Sequence, residues 1–383
     1  MIHIFGQMVQ LANQYASIVL LVGLLGTIFY NWVLWQRDKH MLAKRKVIPL
    51  PPLETWPGLP KVSILAAAWN DAKNIECFLR SFLQLRYPNI ELVLCAGGKD
   101  GTYEVARPWC NLRIIVLKQE SGEGKQSALS RGLPYATGSI IYFTDADCIL
   151  DNDSFERVVY PIATGEEVAV GGSSRPSVKA LENSFIASQS ASQLYGDLYA
   201  PRYADGLLGR NCAVERCLLE RSKGLAEKTL SGTDYVLAKM LVRAGARIRQ
   251  IPESLVVTQY PCTFREYIQQ QRRWLRNVAI LGYRYKSFHE MVTSLITSLI
   301  GLTMLVLPFL WVIWGPIFLV IWMLLFAQVL LARSRYSLIS RRFLDQSLKR
   351  LTLLAQPLFV LLDFVAWSRP LLDYILIKPL EVW

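Results

Sequence analysis

The chain has 383 residues, of which 52% are hydrophobic and only 19% charged, and its mean hydropathy is positive. Such a balance excludes an ordinary wholly soluble protein and calls for bilayer segments beside one large domain. The formal net charge is +12, but the basic residues cluster beside apolar stretches, which favours anionic lipid headgroups as partners and not nucleic acid.

Residues 15–35, YASIVLLVGLLGTIFYNWVLW, are almost uninterrupted apolar and long enough to span a bilayer core of about 30 Å. The preceding MIHIFGQMVQLANQ holds no Lys or Arg, so a retained anchor over residues 1–36 is expected in place of a cleaved leader. Arg37, Lys39, Lys44, Arg45 and Lys46 mark the following flank as cytosolic. A basic and Pro-rich linker then runs over residues 37–60.

From Lys61 the pattern alternates between strand and helix. VSILAAAW, IELVLCAG, LRIIVLK and SIIYFTDAD read as buried strands, and NIECFLRSFLQL and SALSRGLPYA as helices. The expected fold class is α/β, a mainly parallel sheet with helices on both faces, over residues 61–262. Ligands bind such sheets beyond the carboxyl ends of the strands. YVLAKMLVRAG is a further helix that stops at Gly245. Residues 263–290 form a basic, aromatic-bearing amphipathic helix suited to the membrane surface. Residues 291–332 are apolar and broken at Gly315-Pro316, the pattern of a transmembrane hairpin. A basic cytosolic loop is expected over 333–350, and a transmembrane or interfacial segment over 351–383, where Asp363, Arg369 and Pro370 interrupt the apolar run.

The seven cysteines are scattered without a C-x-x-C pair, and the three histidines lie far apart. A structural zinc site, a disulfide framework and a histidine triad therefore have little to build on, and a reduced, cytosolic setting fits. Chemistry instead concentrates in short polar motifs. Asp145 and Asp147 of TDAD follow an apolar strand, where two carboxylates one residue apart share a hard cation with a diphosphate or simply form a turn. Asp234 of Gly232-Thr233-Asp234 opens a helix, as a proton acceptor or as an N-cap. Gln270-Gln271-Arg272-Arg273-Trp274 offers a guanidinium for a diphosphate and a flat ring for a sugar, or a basic membrane-surface helix. Gly122-Glu123-Gly124-Lys125 is not a phosphate-binding P-loop, because Gln126 follows the lysine.

Taken in chain order, AAWND (67–71), CAGGKDGT (95–102), GKQSALSRG (124–132), TDAD, GRNCAVER (209–216), GTD and the Q-x-x-R-W spacing at 270–274 resemble glycosyltransferase family 2. The likeness is to its membrane branch, which holds the cellulose, chitin and hyaluronan synthases and ceramide glucosyltransferase. It covers roughly residues 61–288 and implies a GT-A-like fold with transmembrane and interfacial helices. It further implies that Ala67 and Asn70 touch the nucleotide and that Asp100 reads uracil and ribose. Lys125 is expected near the diphosphate, Asp145 on the nucleotide side, and Asp147, with Asp145, at a Mg2+ or Mn2+ ion. Asp234 takes the place of the general base, and Gln270, Arg273 and Trp274 close over the diphosphate and acceptor. Relatives commonly carry two adjacent acids where this chain has Cys95-Ala96, so Asp100 alone remains of that acidic loop.

The expected activity is inverting, metal-dependent transfer of a hexose or N-acetylhexosamine from a UDP-sugar to a membrane-associated acceptor, a lipid before a polysaccharide. A processive polysaccharide synthase and a catalytically silent nucleotide-sugar-binding subunit are the alternatives. The expected location is the plasma or inner membrane with a cytosolic catalytic domain, alone, as an oligomer or with a partner subunit.

Overall fold

The computed structural model describes residues 2–45, 47–227, 229, 231–346 and 349–375. In chain order the elements are α1 (Ile2–Gln14), α2 (Ala16–Lys44), β1 (Val62–Trp69), α3 (Ala72–Leu83), β2 (Ile90–Gly97), α4 (Thr102–Ala106), β3 (Ile114–Lys118), α5 (Gly124–Gly132), β4 (Ile140–Asp145), α6 (Asn152–Ala163) and β5 (Ala169–Arg175). There follow α7 (Ser184–Leu198), β6 (Tyr203–Ala204), β7 (Cys212–Glu215), α8 (Arg216–Ser222), α9 (Thr233–Arg243), β8 (Ile248–Val257), α10 (Phe264–Arg284), α11 (Phe288–Trp314), α12 (Pro316–Phe343), α13 (Arg350–Leu354) and α14 (Gln356–Ile375). They form two units. Of the described residues, one, helical, comprises 2–45, 178–195 and 260–375; the other, α/β, comprises 47–177 and 196–259.

The α/β unit is built on an eight-stranded sheet in the order β3-β2-β1-β4-β7-β5-β8-β6. The strands β3, β2, β1 and β4 run parallel, and β7 enters antiparallel beside β4. Alternation along β1 sends Ile64 into one apolar layer with Phe78 and Phe155, and Leu65 into another with Phe143 and Leu241. Both faces are thus covered, as the continuous apolar run of β1 demands. The helix α3 buries Ile75, Phe78, Leu79 and Phe82, an i, i+3, i+4, i+7 stripe. Each such side chain contributes about 1.5–3 kcal/mol on burial. The antiparallel insertion of β7 is fixed by Asn211, which accepts from the Tyr142 hydroxyl at 2.9 Å and donates to the Ser173 carbonyl at 2.8 Å and to Ser254 Oγ at 2.9 Å. A single buried amide so satisfied links three strands. The fourth strand is shorter than its sequence suggests. It ends at Asp145, and Cys148 N donates back to the Asp145 carbonyl at 3.1 Å, so Asp147 lies in a turn.

In the helical unit, α2, α11 and α12 are long and apolar enough to cross a membrane. The break between α11 and α12 falls at Gly315, at φ +96°, with Pro316 opening α12. Asn13 of α1 closes this corner: its Nδ2 donates to the Trp314 carbonyl at 3.0 Å and its Oδ1 accepts from Ile317 N at 2.9 Å. Two expected boundaries move. α2 continues to Lys44, so Arg37, Lys39 and Lys44 stand on a helix and not in a linker. α12 continues to Phe343, so residues 333–343 are helical where a loop is expected. Three of the four arginines in residues 333–343 are buried against acceptors. Arg333 pairs with Asp363, Arg335 with Asp38 and Tyr195, and Arg341 Nη2 donates to the Leu181 carbonyl at 2.7 Å. Of the C-terminal segment expected over 351–383, residues 376–383 lie outside the described residues.

Candidate active site

Three parallel strands bring their carboxyl ends side by side in the α/β unit. Ala67 of β1 is in register with Cys95 of β2 and Asp145 of β4. Just beyond β1, Asn70 adopts φ +59°, in the left-handed region that Asn tolerates. Its N–H donates to the Gly97 carbonyl at 3.1 Å and its Oδ1 accepts from Lys99 N at 2.8 Å, tying the β1 loop to the β2 loop. Asp100 continues the tie, accepting from Ala72 N at 2.9 Å, Thr102 N at 3.1 Å and Thr102 Oγ1 at 2.6 Å. Slight burial raises the Asp100 carboxyl, but these donors outweigh it and hold the group below the usual carboxylate range. Asp100 is thus placed as the clasp of these two loops.

The TDAD residues divide between two environments. Asp145 receives the Lys125 ammonium directly, and Arg210 Nε stands 3.8 Å from its other oxygen. Asp147 is raised above the usual carboxylate range by burial and by the negative charges of Asp145 and Asp71, against which Arg210 pulls down. Its contacts are weaker, with Thr258 Oγ1 at 3.4 Å from its Oδ1. Asp71 is raised in the same way, first by burial and then, against a hydrogen bond from Asn74, by Asp145 and Asp100. The site therefore carries four interacting carboxylates, Asp71, Asp100, Asp145 and Asp147, and among the described residues only Asp145 has a cation in direct contact. Among the described residues no three His, Cys, Asp or Glu side chains converge as a complete metal shell. Asp147, with Asp145, would be the acids to hold a hard divalent ion, which would neutralise charge on a bound diphosphate.

Asp234 stands at the second position of α9, after Gly232 at φ +74°. Its Oδ1 accepts from Tyr235 N at 2.9 Å. The Lys125 ammonium is lowered by burial, but Asp145 and then Asp234 more than compensate and hold it above its ordinary value. Lys125 thus senses both carboxylates. Gln270, Arg273 and Trp274 belong to α10 in the helical unit, where Gln270 and Trp274 line a cavity of about 590 Å³.

Arg210, Asp71 and Thr258 carry no assigned role from sequence. Arg210 lies in the GRNCAVER stretch, Asp71 ends AAWND, and Thr258 follows β8, so each stood at a strand end or beside a recognised motif. Arg210 Nη1 donates to Thr258 Oγ1 at 3.3 Å, which holds the guanidinium beside both TDAD acids.

A mainly parallel sheet with an antiparallel insertion, and acids gathered beyond its strand ends, is a GT-A-like α/β arrangement. The chain belongs to the glycosyltransferase like family 2, whose family model matches residues 60–277. It is similar to a probable glycosyltransferase, YdaM, of Bacillus subtilis, with 27% identity over 65% of this chain and 62% of that protein. It is also similar to the beta-monoglucosyldiacylglycerol synthase of Trichormus variabilis, with 29% identity over 45% of this chain and 40% of that protein. The chain thus spans less than two thirds of the length of these relatives. Its fold is that of the mannosyltransferase PcManGT of Pyrobaculum calidifontis, solved with GDP-Man and Mn2+. The two share 20% identity and a TM-score of 0.54 over 96% of this chain and 100% of that one.

Proposed function

We propose that the chain is an inverting, metal-dependent membrane glycosyltransferase that moves a hexose or N-acetylhexosamine from a UDP-sugar to a lipid acceptor, with its α/β unit in the cytosol. The observation that carries this reading is the position of Lys125, which pairs with Asp145 of the TDAD turn and also senses Asp234. A cation paired with a nucleotide-side acid and influenced by a separate acid suits transfer from a diphosphate, which needs charge neutralisation on the leaving side and a base for the acceptor. The glucosyldiacylglycerol synthase relative and the three apolar helices support a lipid acceptor at a membrane. The basic residues at the end of α2 support the cytosolic side by the positive-inside rule.

In the proposed step Asp234 takes the proton of the acceptor hydroxyl. The freed oxygen forms a bond to the anomeric carbon while the bond from that carbon to the diphosphate breaks, and the electron pair leaves with the nucleotide diphosphate. Lys125 and Arg210 stabilise the charge that gathers there, the kind of contribution whose loss costs about 10²–10³ in rate. A divalent ion, Mg2+ or Mn2+, held by Asp147 with Asp145, supplies further charge neutralisation when bound. Gln270, Arg273 and Trp274 keep the roles their motif implies, towards the diphosphate and the acceptor. Purified protein in lipid bilayers, given UDP- and GDP-sugars with either ion, tests the reading. One UDP-sugar is expected to yield nucleotide release and a glycosylated lipid. Release from a GDP-sugar alone overturns the donor, and product confined to a polymer fraction overturns the acceptor.

A further inference from the structure

The cavity of about 590 Å³ in the helical unit is lined by side chains of α7, α10, α11, α12 and α14. Its size is that of a small-ligand site, and its lining is unusual for a bundle of apolar helices. Arg333 and Asp363 are its only charged side chains. They pair with each other, Tyr267 Oη donates to Asp363 Oδ1 at 2.5 Å, and Arg333 Nη2 donates to Ser188 Oγ at 3.0 Å. The net charge of the lining is therefore zero. Arg333 is only 7% exposed, yet its Nε–H has no hydrogen-bond partner among the described residues. The side-chain amides of Gln270 and Gln271 also make no hydrogen bond among those residues, and that of Gln328 only accepts one, from Asn31 at 2.8 Å. Arg333 Nε–H is thus a buried donor left open, which needs a ligand or water to satisfy it, and the half-buried glutamine amides line the same cavity.

Depth along the helices indicates the kind of ligand. The uncharged stretch of α12 runs from Pro316 to Ala332, about 25 Å at 1.5 Å per residue. If α12 crosses a bilayer, Arg333 stands near the boundary between hydrocarbon and headgroups. The cavity reaches Ile300 of α11, which is 40% exposed and continuous with exposed Leu295, Ile296 and Leu299 on the same helix. Polar groups at headgroup depth therefore adjoin an apolar face at chain depth.

We infer that this cavity binds the headgroup of a membrane lipid that bears hydroxyls and no charge, with its chains along the exposed face of α11. The glutamine amides and Arg333 Nε–H donate to the headgroup oxygens. A phosphate monoester is disfavoured, because the lining offers no uncompensated cation to match it. The inference rests on the reading that the acceptor is a lipid, and it names the class of lipid.

The test uses the full chain in nanodiscs containing a dioleoylglycerol that carries a photoreactive diazirine, or a phosphatidic acid analogue with the same chains. Labelled peptides are mapped by mass spectrometry. The diacylglycerol probe is expected to label α11 and α12 near Ile300 and Ala332. Ala332→Phe, which fills the cavity, and Gln328→Leu, which removes a donor without adding bulk, are each expected to reduce that labelling by about tenfold, the loss of one or two hydrogen bonds. Unchanged thermal unfolding shows that both variants are folded. Equal labelling by the phosphatidic acid analogue, or labelling insensitive to both variants, overturns the inference even if sugar transfer to lipid is observed. Cavity labelling without transfer from any donor leaves the lipid site standing and overturns the proposed activity instead.

Discussion

Gly209 packs against Asp234 so closely that a β-carbon at position 209 would lie 2.8 Å from the Asp234 Cβ. The contact is with the base of the aspartate side chain, not its flexible tip, so any residue larger than glycine displaces the carboxylate. Gly209→Ala is therefore expected to lower turnover by about 10- to 100-fold, the scale on which sub-ångström displacement of a reacting group acts. Donor affinity, measured by calorimetry with the non-reacting nucleotide diphosphate, is expected to stay within about twofold. An unchanged turnover would remove Asp234 from the reaction.

The raised carboxyls of Asp71 and Asp147 give a pH signature. A carboxyl whose folded pKa is raised favours the folded state at low pH, and that contribution is lost as pH rises through the folded value. The metal-free protein is thus expected to lose stability from these two groups on going from about pH 4 towards neutrality. A divalent cation favours the ionised carboxylates and reverses the trend. Thermal unfolding with and without Mn2+ checks it: the rise in Tm on adding the ion should be larger near pH 7.5 than near pH 5, and Asp147→Asn should abolish the difference.

Arg210 holds a place between the two TDAD acids through Thr258. Arg210→Ala removes a positive charge beside Asp145 and Asp147, so the Asp147 carboxyl is expected to titrate higher and turnover to fall by about 10²-fold. Arg210→Lys should recover only part of this loss, because an ammonium cannot reach Thr258 and Asp145 together with a planar fork. Rates of nucleotide release over a pH series distinguish the two variants.

Asn13 and Gly315 form a corner remote in sequence. Asn13→Ala removes both hydrogen bonds at the α11–α12 break and is expected to cost about 1–2 kcal/mol. Gly315→Ala adds strain at φ +96° and brings its Cβ to 2.3 Å from Asn13 Nδ2, so the larger loss is expected there. Thermal unfolding in detergent reads both.

Much of this architecture was legible in sequence, for identifiable reasons. The strands β1 and β2 announce themselves because both faces are buried and the apolar run is unbroken. Gly315-Pro316 marks its turn because Gly suits a helix end and Pro suits the first position of the next helix. What stayed hidden depended on long-range partners. Residues 333–343 look like a basic loop until Asp363, Asp38, Tyr195 and the Leu181 carbonyl are seen to receive their arginines. The insertion of β7 next to β4 rests on Asn211, an amide whose three partners lie far away in the chain. Arg210 was unassigned for the same reason, since its link to Asp145 and Thr258 crosses from one strand end to two others.

The central claim, that Asp234 accepts the proton of the acceptor hydroxyl, is tested most directly by Asp234→Asn. The amide keeps the size of the side chain and removes its basicity. Single-turnover transfer from the active UDP-sugar should fall by at least about 10³-fold, while donor binding stays within about twofold. Transfer at the wild-type rate, with donor binding intact, would contradict the account.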